Sequence, residues 1–149
     1  MKNNLNRALS YCSKNIRSKS EVLKKLNSWK LDKNEETKII NFLEQQKFFL
    51  EDEEYVSKFL DNLSSIKGYS KIQVKVKLLR KGIPSKLIET KVSLYFKNNE
   101  DLELKKFINK NIKKINAKPR ELAIKFLLSK GFSYNSVLKH VQDLTYRNI

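Results

Sequence analysis

The sequence predicts an all-α protein built as three tandem three-helix repeats, residues 1–50, 51–98 and 99–149, forming an elongated, curved right-handed or solenoid-like array. Composition is the first observation behind this. The 149 residues include only three glycines and two prolines, little material for hairpin turns. Lys and Leu dominate instead, a bias that favours helices. The second is residues 70–92, SKIQVKVKLLRKGIPSKLIETKV, which read as a basic amphipathic helix, a Lys-Gly-Ile corner and a proline opening the next helix. The third is repetition. Setting Leu26, Leu78 and Leu127 in register aligns the corners Trp29-Lys30-Leu31, Lys81-Gly82-Ile83 and Lys130-Gly131-Phe132, at offsets of 52 and 49 residues. Self-similarity at that period marks stacked supersecondary units.

In chain order, Leu5, Ala8, Leu9, Cys12 and Ile16 fall on one helical stripe. Cys12 is read as a small core residue, and one cysteine rules out an internal disulfide framework. Ser18 caps the second helix, with Glu21 completing a capping box and Val22, Leu23, Leu26 and Trp29 pointing inward. Asp32 or Asn34 caps the third helix, whose apolar side is Ile39, Ile40 and Leu43. Phe48, Phe49 and Leu50 suggest a connection tucked under the bundle. The carboxylates of Glu51, Asp52, Glu53 and Glu54 follow, and they invite a metal-dependent nuclease reading. Acids collect in first helical turns to offset the macrodipole, and no companion cluster completes a metal site, so they are read as structural.

The fourth helix carries Val56, Phe59, Leu60 and Leu63 and ends at Lys67-Gly68-Tyr69. In the fifth, capped by Ser70, Ile72, Val76 and Leu79 are expected to form the buried stripe, with Leu78 widening it. Gly82 suits a left-handed helix end and Pro84 the first turn of the sixth helix, which buries Leu87, Ile88, Val92 and Tyr95 or Phe96. The polar run Asn98-Asn99-Glu100-Asp101 is expected to separate it from a seventh helix holding Leu104, Phe107, Ile108, Ile112 and Ile115. Pro119 opens the eighth helix, with Leu122, Ala123, Phe126 and Leu127 inside. Gly131 ends it. Ser133 caps the last helix, which turns Val137, Leu138, Val141 and Leu144 inward, and residues 145–149 are expected to fray.

Little catalytic chemistry is available. His140 is the only histidine, so triads, histidine-based metal sites and most acid–base pairs are not expected, and it is assigned a surface or packing role. The glycines lie too far apart to cradle a phosphate. No cofactor is expected. No secretory leader pattern and no apolar run of membrane-spanning length is visible, so a cytoplasmic monomer is expected.

Charge points the other way, toward binding. Thirty-two Lys and Arg against sixteen Asp and Glu give a net charge of +16, which concentrates polyanions around the chain and makes association salt-dependent. The middle helix of each repeat recurs as the carrier: Lys19, Lys24 and Lys25; Lys71, Lys75, Lys77, Arg80 and Lys81; Lys118, Arg120, Lys125 and Lys130. Stacked, these become rungs of a basic strip contacting phosphates without reading sequence. Among the aromatics, Tyr69 and Tyr134 are the candidates for stacking on bases.

The residues then resemble a family. Leu50-Glu51-Asp52-Glu53-Glu54-Tyr55, Lys67-Gly68-Tyr69, Lys81-Gly82-Ile83 and Lys130-Gly131-Phe132-Ser133-Tyr134 occur in the order of the corresponding segments of the bacterial RecX regulatory proteins. The match runs from about Ala8 to Leu144. Glu54 stands where an arginine is usual, the first corner lacks glycine, and the other corners use lysine for arginine, which keeps charge but loses the bidentate fork. The resemblance implies a non-enzymatic modulator that binds along the groove of the RecA–single-stranded DNA filament. It also implies reduced strand exchange, ATPase and co-protease activity, hence a role in DNA repair, recombination and the SOS response, together with binding to single- and double-stranded DNA. Read without the resemblance, the chain is a basic helical-repeat nucleic-acid-binding protein.

Overall fold

A computed structural model of the chain describes residues 2–63 and 67–147. The described residues form nine helices and no strand: α1 (Lys2–Lys14), α2 (Lys19–Ser28), α3 (Lys33–Gln45), α4 (Asp52–Asp61), α5 (Lys71–Arg80), α6 (Ser85–Lys110), α7 (Ile112–Asn116), α8 (Arg120–Ser129) and α9 (Tyr134–Arg147). Their apolar faces gather into three clusters. Ala8, Cys12, Val22, Leu26, Ile39, Ile40, Leu43 and Phe49 form the first. Tyr55, Val56, Leu60, Val74, Leu78, Ile83, Ile88, Val92 and Phe96 form the second. Leu104, Ile108, Ile115, Ala123, Leu127, Phe132, Val137 and Val141 form the third. Each fully buried Leu or Ile contributes roughly 1.5–3 kcal/mol by leaving water, so the clusters dominate the stability of a lysine-rich chain.

Helix ends are set by local chemistry. Ser70 accepts from the Gln73 amide and Gln73 reaches back to the Ser70 amide, a complete capping box. Ser18 accepts from the Glu21 amide at 3.0 Å, but the box expected there is only half made. Glu21 is buried, and its carboxylate turns to Arg17 and Lys81 instead of the cap amide. Backbone φ is positive at all three corners: 54° at Lys30, 83° at Gly82 and 100° at Gly131. Lys30 therefore takes the left-handed conformation without a glycine. Pro84 and Pro119 occupy the N-cap positions of α6 and α8, one residue before the first turn.

Several expected faces are corrected. Ile16 lies past the end of α1 and is 64% exposed, so it leaves the stripe that Ala8 and Cys12 complete. In α5 the buried residues are Val74 and Leu78, while Ile72, Val76 and Leu79 face outward. The helix is held at both ends. Ser70 Oγ donates to the Lys130 carbonyl, and the Leu78 carbonyl accepts from the Ile83 amide at 3.2 Å, bringing buried Ile83 onto the Leu78 side. In α8, Leu122 is exposed and Ala123 and Leu127 alone are buried. The expected inward placement of the Leu144 side chain, and residues 148 and 149 of the fraying tail, lie outside the described residues. The helix itself runs through Arg147.

Asn98, Asn99, Glu100 and Asp101 do not interrupt the chain, because α6 continues through them for 26 residues. Polarity alone does not break a helix, and no glycine or proline lies between Ser85 and Lys110. The amino-terminal half of α6 supplies Ile88, Val92 and Phe96 to the second cluster, and the other half supplies Leu104 and Ile108 to the third.

A similar joint occurs twice. At Gly82 a Cβ would lie 3.5 Å from the Ser20 carbonyl and from Lys24 Cδ, so the second corner sits on the start of α2. At Gly131 a Cβ would lie 2.8 Å from Ser70 Oγ and 3.1 Å from Ile72 Cβ, so the third corner sits on the start of α5. Asp52 strengthens the first joint by accepting from the Ser20 amide and hydroxyl, orphan donors of the first turn of α2. Residues 48–50 close against the same helix start, where Leu50 and Ser18 pair as an isolated parallel bridge.

Glu103 is fully buried in α6 and is satisfied from three sides. Its oxygens accept from the Tyr69 amide at 3.1 Å, the Tyr95 hydroxyl at 3.1 Å and the Lys106 ammonium at 2.8 Å. Gly68 lets Tyr69 approach that closely. A Cβ there would lie 2.3 Å from the Phe107 nitrogen and 2.4 Å from the Glu103 carbonyl, and φ is 70°.

Candidate functional site

The basic residues divide into those with a neighbouring carboxylate and those without one. Lys19 pairs with Glu44 at 3.3 Å, Lys75 with Glu89 at 2.8 Å and Lys81 with Glu21 at 3.3 Å. Burial by itself would lower the Lys81 ammonium, but the Glu21 carboxylate and the Tyr55 hydroxyl outweigh it and hold its pKa above the ordinary lysine value. The Lys75 ammonium lowers the Glu89 carboxyl in turn, chiefly through their hydrogen bond. Lys71 is half-buried and adds to that lowering. These four cations are partly or wholly offset within the fold.

Lys24, Lys25 and Arg80 are exposed and make no ion pair with a carboxylate among the described residues. Tyr11, Glu21, Lys24, Lys25, Ser28, Arg80 and Lys81 line a depression of about 270 Å³ where α2 meets the end of α5. Lys24 Nζ donates to the Arg80 carbonyl at 2.9 Å, which ties the two helices and leaves its charge uncompensated. The Lys25 ammonium lies 5.4 Å from the Tyr11 ring centroid, and the Arg17 guanidinium lies 3.8 Å from it. Burial raises the Tyr11 hydroxyl, with Glu21 adding to the effect, so it remains a neutral donor. Exposed basic side chains without carboxylate partners in a concave seam suit an oxyanion such as a backbone phosphate.

The third set is organised around one ring. Lys118, Lys130 and Lys114 place their ammoniums 5.4, 5.4 and 5.5 Å from the Phe126 centroid. Residue-by-residue reading included the first two and passed over Lys114, because the pattern that unites them is proximity to Phe126 and not helix periodicity. Arg120 and Lys125 are exposed on α8. Lys77 is exposed and its ammonium lies 5.4 Å from the Tyr69 centroid, so one face of that half-buried ring is already covered. Tyr134 is 58% exposed.

The acidic run has structural employment. Glu51 is the N-cap residue of α4, and Asp52, Glu53 and Glu54 form its first turn. Glu53 pairs with Lys91 at 3.2 Å and Asp52 holds Ser20. A hydrogen bond that the protonated Glu51 carboxyl donates to Glu44 raises its pKa above the ordinary value. Among the described residues no group of three or more His, Cys, Asp or Glu gathers as a metal site. No described helix is long and apolar enough to cross a membrane.

These features define a class: a basic, all-helical protein whose uncompensated cations lie on helix faces and seams, with carboxylates used for caps and ties. Comparison with known proteins then supplies a family. The regulatory protein RecX of Clostridium botulinum strain Alaska E43 is 30% identical over 143 residues, covering 91% of this chain and 66% of that protein. RecX of Clostridium acetobutylicum is 28% identical over 152 residues, covering 95% of this chain and 69% of that protein. The crystal structure of RecX from Lactobacillus salivarius superposes with a TM-score of 0.71 at 25% identity, covering 97% of this chain and 96% of that one. The chain thus spans about two thirds of the length of the clostridial relatives. No protein-family model matches the sequence. The chain belongs to the RecX family of regulatory proteins.

Proposed function

We propose that this protein binds RecA–single-stranded DNA filaments and modulates them, mostly by inhibiting recombinase, ATPase and co-protease activity during DNA repair, recombination and the SOS response. The observation that carries this reading is the seam of Lys24, Lys25 and Arg80 between α2 and α5, cations without carboxylate partners in a concave surface. Family membership supplies the partner. In this reading residues 1–50, 51–98 and 99–149 act as three stacked units, and the recurring joint at Gly82 and Gly131 supports that stacking. An extended array of this kind would follow a helical filament over several repeats. It acts as a monomer in the cytoplasm, without a cofactor and without chemistry of its own.

The seam also sharpens which residues meet phosphate. Lys75 and Lys81 are offset by Glu89 and Glu21, so Lys25 and Arg80 are the more discriminating pair. Filaments assembled on labelled oligonucleotide with a slowly hydrolysed ATP analogue provide the test. The chain is expected to bind them, and Lys25→Glu with Arg80→Glu is expected to weaken binding roughly tenfold or more at low salt with unchanged helix content. Absence of wild-type binding at stoichiometric excess would remove the reading. Tight, salt-sensitive binding to bare nucleic acid with none to filaments would favour a stand-alone nucleic-acid-binding protein, the reading that the +16 charge alone suggests.

A further inference from the structure

The three-helix clusters built from α1–α3 and from α4–α6 do not close on each other everywhere. Between them lie two depressions of about 320 and 430 Å³, both bordered by Ile16 and Lys58 and so adjacent to one another. Phe59, Leu63 and Tyr69 line the first and Phe48 the second, giving a mostly apolar floor. Ile16 is 64% exposed and Phe48 is 40% exposed. The border is cationic: Lys58 and Lys77 stand at the first depression, and Lys14 and Lys47 at the second, beside an Arg17 already paired with Glu21. Among the described residues no carboxylate lines either depression.

We propose that this groove is the protein-contacting face of the molecule, and that it seats a partner segment with an apolar side chain flanked by carboxylates. The charge of the border selects an acidic partner, and the floor selects an apolar anchor. A nucleic-acid strand fits less well, because base stacking needs free ring faces. Tyr55 and Phe59 stack on each other at 6.4 Å and the Lys77 ammonium covers one face of Tyr69, which leaves exposed Phe48 as an isolated ring and no run of faces for successive bases. Aliphatic side chains such as exposed Ile16 and half-buried Leu63 offer no platform for a base. The inference rests on the filament reading only for the partner's identity: the seam at Arg80 meets phosphate and the groove meets protein.

The test uses the full chain and two mild substitutions, Ile16→Ser, which removes the exposed anchor contact, and Lys58→Gln, which removes a charge shared by both depressions. The probe is a fluorescein-labelled peptide with a Leu-Phe pair between runs of Asp and Glu, read by anisotropy. A labelled single-stranded oligonucleotide and RecA filaments are titrated in parallel. Saturable peptide binding is expected, weakened roughly five- to tenfold by each substitution and unchanged by Arg80→Glu, with oligonucleotide affinity unchanged by Ile16→Ser. No saturable peptide binding, or binding indifferent to both substitutions, overturns the proposal whatever the filaments do. Loss of oligonucleotide binding in Ile16→Ser assigns the groove to nucleic acid and also overturns it. Peptide binding that behaves as expected, combined with no filament binding by the wild type, leaves the groove standing and removes the filament reading.

Discussion

Glu103 is a carboxylate with no exposed surface whose three donors come from the Lys67-Gly68-Tyr69 break, from α6 one face over and from Lys106. Removing one partner of such a buried set leaves the others unpaired, so Glu103→Ala is expected to cost about 3–5 kcal/mol in a denaturant melt. Gly68 and Gly82 both have positive φ, but their surroundings differ. Alanine at Gly82 meets only ordinary contacts at 3.5 Å and is expected to cost on the order of 1 kcal/mol from backbone strain. Alanine at Gly68 adds a collision with the backbone of α6 and is expected to cost clearly more in the same melt. Tyr95 carries a pH signature. Burial, and then the Glu103 carboxylate, push its hydroxyl up to about 12. A raised folded-state pKa means the neutral form is favoured by the fold, so this contribution is intact below about pH 10 and is lost as pH rises toward 12. Wild type should lose more stability across that window than Tyr95→Phe, compared by urea melts at each pH.

Among the helices, α5 shows how far periodicity reaches. Its ten residues contain two overlapping apolar patterns, and the expected stripe of Ile72, Val76 and Leu79 is the one left outside. The choice is made by tertiary tethers, the Ser70–Lys130 bond and the turn that carries Ile83, neither of which a helical wheel contains. Leu78→Ala is therefore expected to cost about 2–5 kcal/mol and Leu79→Ala within roughly 0.5 kcal/mol, by chemical denaturation with helix content checked first. Helix existence, caps and most core positions were legible because they depend on local chemistry: Ser18, Ser70, Gly82, Gly131 and the clusters around Leu26 and Leu127. The unbroken α6 was not, since polar Asn98 and Asn99 resemble a loop until the absence of any breaker is weighed. Glu21 was misread for a related reason. A carboxylate three residues after a serine fits a capping box, and only the fold brings Lys81 near enough to divert it.

For the molecule as a unit, the basic excess was legible from composition, but its distribution was not. Twelve basic positions were expected to line up, yet several are spent on Glu44, Glu89 and Glu21, and others gather around Tyr11 or Phe126. What remains is a cationic seam at Arg80 and an apolar, cation-edged groove at Ile16, the two surfaces of different chemistry on which the proposed phosphate and protein contacts rest. Salt should separate them: oligonucleotide binding through the seam is expected to fall steeply with ionic strength, and groove binding less so. The central claim is action on the RecA filament, and DNA-dependent ATP hydrolysis by RecA, titrated with the purified protein, tests it most directly. A saturating fall in hydrolysis is expected, with Lys25→Glu and Arg80→Glu together shifting the titration to higher protein concentration. Hydrolysis unchanged at a stoichiometric excess of wild-type protein would contradict it.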